Sequence, residues 1–125
     1  MIIETIALDS DLCVTLHDQT SHYFGGYFHV KVSAWCDIPL LQSYFEHDDE
    51  FSRAIEMMGP TVRFERVLEK MAVPESELQS VRRQLILSFH ETTVAYLSSP
   101  DFAPRFVRSE YRNRVKTSRM RVIRE

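Results

Sequence analysis

Residues 27–36, YFHVKVSAWC, alternate strictly: Phe28, Val30, Val32, Ala34 and Cys36 on one side, Tyr27, His29, Lys31, Ser33 and Trp35 on the other. Successive side chains of an extended chain point to opposite faces, so this stretch predicts a β-strand with one core face and one mixed face. Before it, residues 2–8 and 12–17 are β-branched and apolar, separated by Asp9, Ser10 and Asp11. Short polar side chains that bond their own backbone favour a turn there, and the two runs read as a hairpin in which Leu12, Val14 and Leu16 share a face.

Gly25 and Gly26 are the natural two-residue turn into the third strand, since glycine reaches positive φ without a steric cost. A plain hairpin about that turn pairs His22 with His29, Leu16 with Trp35 and Val14 with Asp37. The core faces then disagree, because Leu16 and Val14 land on the side of His29 and Lys31. A one-residue slip flips every side chain, so the pattern predicts an interruption, placed near residues 19–21 as a bulge or a longer loop.

Beyond Pro39 the pattern turns helical. Glu46, Asp48, Asp49 and Glu50 precede Phe51, Ala54, Ile55 and Met58, which hold three-four spacing until Gly59 and Pro60 stop it. The four carboxylates lack the alternating ligands and central glycine of a calcium loop and suit the start of a helix. Phe64, Val67, Leu68 and Met71 repeat at helical spacing and favour a second helix, although Val62 and Phe64 alternate with charges and also suit a strand. From about Pro74 to Leu97 a long helix is expected, with Leu78, Val81, Leu85, Phe89, Thr92 and Tyr96 on one face. A last helix should start near residues 101–104. The order of elements implies an α+β fold: a small antiparallel sheet of about three N-terminal strands, covered on one face by three or four C-terminal helices.

The 125 residues fit one domain, and a hydrophobic fraction of 44% with eight Phe, five Tyr and one Trp supplies a core. Residues 1–112 are read as that domain and 113–125 as a basic C-terminal extension, expected to project or fray unless something binds it. The start of the chain has no basic stretch leading into a long apolar run, and no window approaches a membrane span. The expectation is a cytoplasmic protein, with Cys13 and Cys36 reduced, Cys36 on the core face and no disulfide framework.

A formal charge of −3 conceals a division. Residues 103–125 hold eight basic and two acidic side chains, a net of +6, whereas residues 1–102 hold seven basic and sixteen acidic, a net of −9. At about 100° per residue, Arg105, Arg108, Arg112, Lys116 and Arg119 share an arc of about 80°. Phe106, Val107, Tyr111 and Val115 lie opposite, with Arg114 and Arg121 intruding on their side, so docking of this helix should weaken around Asn113. Besides an ordinary solvated helix face, such a stripe fits an acidic protein surface, a second copy of the chain or nucleic acid. The −9 body would repel a polyanion and attract another copy's tail, which disfavours nucleic acid.

No catalytic set stands out. His17, His22 and His29 are close in sequence, with Asp18 and Asp37 at hand, but their spacing matches no compact metal pattern. Gly25-Gly26 lacks the strand, loop and helix order of a phosphate cradle. Nothing local activates Cys36 as a nucleophile. The sequence points to no cofactor. Tyr23, Phe24, Tyr27 and Phe28 bracket the glycine turn, a cluster that either packs under a helix or exposes an apolar patch to a partner. The function expected is therefore a non-enzymatic, self-associating interaction module. It would use Tyr23, Phe24 and Tyr27, the cations Arg105, Arg108, Arg112, Arg114, Lys116, Arg119 and Arg121, or both. A nucleic-acid accessory role ranks second, and an enzyme using His17, His29 and Asp18 third.

Overall fold

The computed structural model describes residues 1–119 in full and the backbone of the last helix as far as Arg124. It is α+β, with five strands where about three were expected, three α-helices and two single 3₁₀ turns. The strands are β1 (Ile2–Ala7), β2 (Cys13–Asp18), β3 (Ser21–Phe24), β4 (Tyr27–Pro39) and β5 (Thr61–Pro74). The helices are α1 (Asp48–Met58), α2 (Leu78–Leu97) and α3 (Phe102–Arg124). Two compact units divide the chain: residues 1–36 with 64–99, and residues 37–63 with the segment from Pro100. Asn113, the expected start of an extension, lies inside α3.

In the first unit β4 is the organising strand. β1 pairs with β2, and β2 and β3 follow one another along the same edge of β4, all antiparallel. Val14 faces Cys36, Leu16 faces Ala34 and His22 faces Phe28, one residue out of step with the plain hairpin. The face conflict is thus resolved as it must be: Val14, Leu16, Val30, Val32, Ala34 and Cys36 are all fully buried. The interruption lies between His22 and Phe24, not at residues 19–21.

Side-chain bonding explains that displacement. The Gln19 N–H donates to the Lys31 carbonyl at 2.8 Å, the Lys31 N–H to Thr20 Oγ1 at 3.2 Å, and the Thr20 N–H to Asp18 Oδ1 at 3.0 Å. These bonds hold residues 18–20 in the β4 register. The extra residue falls at Tyr23, which is exposed, so a bulge there disturbs no core contact. Gly25 takes φ 56° in the turn, and the His22 ring donates to its carbonyl.

β5 pairs with β4 and overturns the helix expected from Phe64. The spacing of Phe64, Val67, Leu68 and Met71 satisfies either geometry, and the open second edge of β4 decides it, since its backbone groups need partners. Ala72 sits at φ 55°, a local irregularity after which Val73 turns inward and is buried. Val30, Val73 and Val81 form one cluster with Leu78 and Leu85 packed against it, so α2 covers the Val30 face of the sheet.

α2 starts at Leu78 after a 3₁₀ turn, Glu75–Glu77, and not at Pro74. Its buried residues are Val81, Phe89, Thr93 and Leu97, whereas Thr92 and Tyr96, expected on that face, are exposed. Steps of four residues rotate the buried stripe by about 40° each time, so no single face of an ideal wheel describes it.

In the second unit α1 begins with Asp48, Asp49 and Glu50 in its first turn, where carboxylates complement the exposed N–H groups. It ends at Gly59, whose φ of 82° suits glycine and whose N–H closes on Ile55 O at 2.8 Å. The apolar side of α3 holds Phe102, Ala103 and Val107 buried, then Tyr111 and Val115 only half-buried. No helix among the described residues is long and apolar enough to cross a membrane.

Candidate binding groove

The second unit carries a groove between α1 and α3. One part, of about 570 Å³, is lined by Glu50, Arg53, Tyr111, Arg112, Val115, Lys116 and Arg119. A second, of about 420 Å³, shares Glu50, Tyr111 and Arg112 and adds Phe45, Glu46 and Arg108. Its floor is aromatic, for the Tyr111 ring meets Phe45 edge to face at 5.7 Å and Phe45 lies 6.0 Å from Phe51. Arg108 is fixed at the rim by donating from Nη1 to the Tyr44 carbonyl at 3.3 Å. Burial pushes the Tyr44 phenol above its ordinary pKa, so it stays neutral and adds no charge there.

Five cations and two carboxylates give the groove a net charge of +3. Among the described residues, none of Arg53, Arg112, Lys116 or Arg119 makes an ion pair, whereas His29 pairs with Glu69, Arg63 with Asp37, Arg82 with Asp18 and His90 with Glu4. The structure therefore brings together four of the cations chosen from sequence, Arg108, Arg112, Lys116 and Arg119. Arg105 and Arg114 are exposed on α3 outside these linings, and Arg121 lies outside the described residues. Sequence reading missed Arg53. It is the one cation of α1, and its approach to the α3 stripe depends on how the two helices pack, which no local pattern records.

The aromatic turn is the other candidate surface. Tyr23, Phe24 and Tyr27 are 54%, 75% and 47% exposed, so of the two readings of this cluster the exposed patch holds for these three. Phe28 is half-buried, with the His22 ring set edge-on to it at 5.4 Å. The Glu75 N–H donates to the Gly26 carbonyl at 3.3 Å, which pins an acidic turn carrying Glu75 and Glu77 beside the aromatic tip.

His17, His29 and Asp18 are engaged separately. The His17 ring lies tilted at 36° against Trp35, with ring centroids 3.7 Å apart, and is hydrogen-bonded to Thr15 Oγ1 at 2.9 Å. His29 Nε2 donates to Glu69 Oε2 at 2.8 Å, tying β4 to β5. Asp18 meets Arg82 Nη1 at 3.4 Å on the α2 side of the sheet. Among the described residues no group of three or more His, Cys, Asp or Glu is placed to hold a metal ion. Cys36 is buried, Cys13 is exposed, and they are not joined in a disulfide.

Burial alone would raise the Asp18 carboxyl, but hydrogen bonds from the Thr20 hydroxyl and N–H, with the Arg82 guanidinium, outweigh it and hold the group below the usual carboxylate range. A depressed folded-state pKa contributes stability above the unfolded value and loses it as pH falls through the folded one. Asp18→Ala should accordingly cost about 1–2 kcal/mol near pH 7, because it also strands the Arg82 guanidinium. Urea unfolding at several pH values checks this: the difference from wild type should shrink towards about pH 2, and a pH-independent difference would assign the loss to packing instead.

Comparison with known proteins gives no match to any family model, curated protein or solved structure.

Proposed function

We propose that this chain is a non-enzymatic binding module of the cytoplasm that takes an acidic polypeptide surface into the α1–α3 groove and associates with itself. The observation that carries the reading is the set of cations without ion-pair partners around Tyr111 and Val115. Leaving several like charges together on one face costs energy, and a partner that supplies carboxylates removes that cost. Arginine suits the task, since its planar fork binds carboxylates bidentately and stacks on aromatic rings. The cytoplasmic assignment is supported by the two unbridged cysteines, one of them exposed.

Nucleic acid is the competing occupant of a basic groove. The sixteen acidic residues of positions 1–102 weigh against it. Fluorescence anisotropy with labelled polyglutamate and a labelled DNA duplex separates the two. The expected result is polyglutamate binding at about 50 mM salt that weakens at least tenfold by about 500 mM, with duplex binding weaker at every salt. Tighter duplex binding, falling by about 0.9 log units per log unit of salt for each contacted phosphate, would transfer the groove to nucleic acid. No binding of either would remove the basis of the proposal.

A further inference from the structure

The groove is basic and aromatic, and the same polypeptide carries its chemical complement. At the β3–β4 turn Tyr23, Phe24 and Tyr27 stand exposed, and Glu75 and Glu77 lie beside them through the Glu75 to Gly26 hydrogen bond. Neither residues 19–30 nor residues 71–81 contain a Lys or Arg, so the aromatic tip has a net negative border. We infer that the occupant of the groove is this aromatic, acidic tip of a second copy of the chain. The inference rests on reading the groove as a site for acidic polypeptide, and it adds the identity of the partner.

The match is specific in kind. Phe24 and the two tyrosines offer ring faces to Arg53, Arg112 and Arg119, an arrangement in which a cation is attracted to the ring quadrupole. Tyr111 and Val115 supply apolar contact at the floor, and Glu75 and Glu77 supply carboxylates for the rim cations. Tyr23, Phe24 and Tyr27 at the tip and Arg53, Arg112, Lys116 and Arg119 at the groove are all exposed among the described residues. Three neighbouring exposed aromatic residues are more than isolated surface apolars and mark a contact site. Because tip and groove are different surfaces, the contact is heterologous, and each copy can both give a tip and receive one.

That asymmetry supplies the test. A tip variant, Phe24→Ser with Tyr27→Ser, keeps its groove; a groove variant, Arg112→Glu with Lys116→Glu, keeps its tip. All four positions are exposed, and circular dichroism confirms that each variant folds. Sedimentation velocity at low salt should show wild type associating, each variant alone as a monomer, and an equimolar mixture forming a species of two chains that grows no further. A mixture that stays monomeric, or a tip variant that associates like wild type, would overturn the inference. If wild type is monomeric while polyglutamate binds its groove, the second-copy partner and the self-association are both wrong, and the reading of the groove as a site for acidic polypeptide stands. Failure of both association and polyglutamate binding overturns the two together.

Discussion

Reversing Arg112 and Lys116 to glutamate weakens polyglutamate binding by about 100-fold at low salt, the change expected when two attractive contacts become two repulsive ones in one groove. Both residues line the same stretch as Tyr111 and Val115, and neither has an ion-pair partner among the described residues, so their removal strands no carboxylate among those residues. Stability should change little, as for other exposed substitutions. The pair Arg105→Glu and Arg114→Glu makes an equal change of charge on the same helix outside the groove linings. If loss of binding came only from the net charge of α3, the two pairs would behave alike. The groove account expects the second pair to lose less than about tenfold, measured by anisotropy at matched salt.

Truncating Phe89 to alanine should cost about 3–5 kcal/mol, the range for deleting a buried aromatic side chain and leaving a cavity. Phe89 is 1% exposed and is the largest fully buried side chain of the chain's described core. For a domain of this length that loss lowers the midpoint of thermal unfolding by about 10–20 °C. Leu87, two residues away on α2 and 55% exposed, is the internal control, and Leu87→Ala should stay within about 0.5 kcal/mol. Comparable losses for the two would mean that the orientation of α2 is wrong. Chemical denaturation followed by far-ultraviolet circular dichroism gives both numbers.

The strand at residues 27–36 was legible because five alternating apolar residues admit one buried face, and all of its even-numbered members from Val30 to Cys36 are buried. The need for an interruption was legible too, since Val14 and Leu16 must share that face. Its position was not. The bonds of Gln19 and Thr20 to Lys31 and Asp18 hold the polar segment in register and leave the exposed Tyr23 to absorb the extra residue. β5 was obscured for a different reason: Phe64, Val67, Leu68 and Met71 fit a helix, and only the unfilled edge of β4 makes residues 61–74 a strand. In α2 the drift from Val81 to Leu97 defeats a wheel drawn at a fixed angle.

The candidate site divides in the same way. The α3 stripe could be read from its spacing, because one helix face is a local property. Arg53 could not, because its place in the groove is set by contact between α1 and α3. The exposure of Tyr23, Phe24 and Tyr27 also required the fold, as the sequence fits burial under a helix equally well.

The claim that the α1–α3 groove is the binding site is tested most directly by a ¹H–¹⁵N correlation spectrum of the full chain, titrated with polyglutamate at low salt. The groove account predicts that shifts concentrate at Glu50, Arg53, Arg108, Tyr111, Arg112 and Lys116, and leave β1 and β2 unmoved. Shifts spread over the sheet, or none at concentrations where anisotropy reports binding, would contradict it.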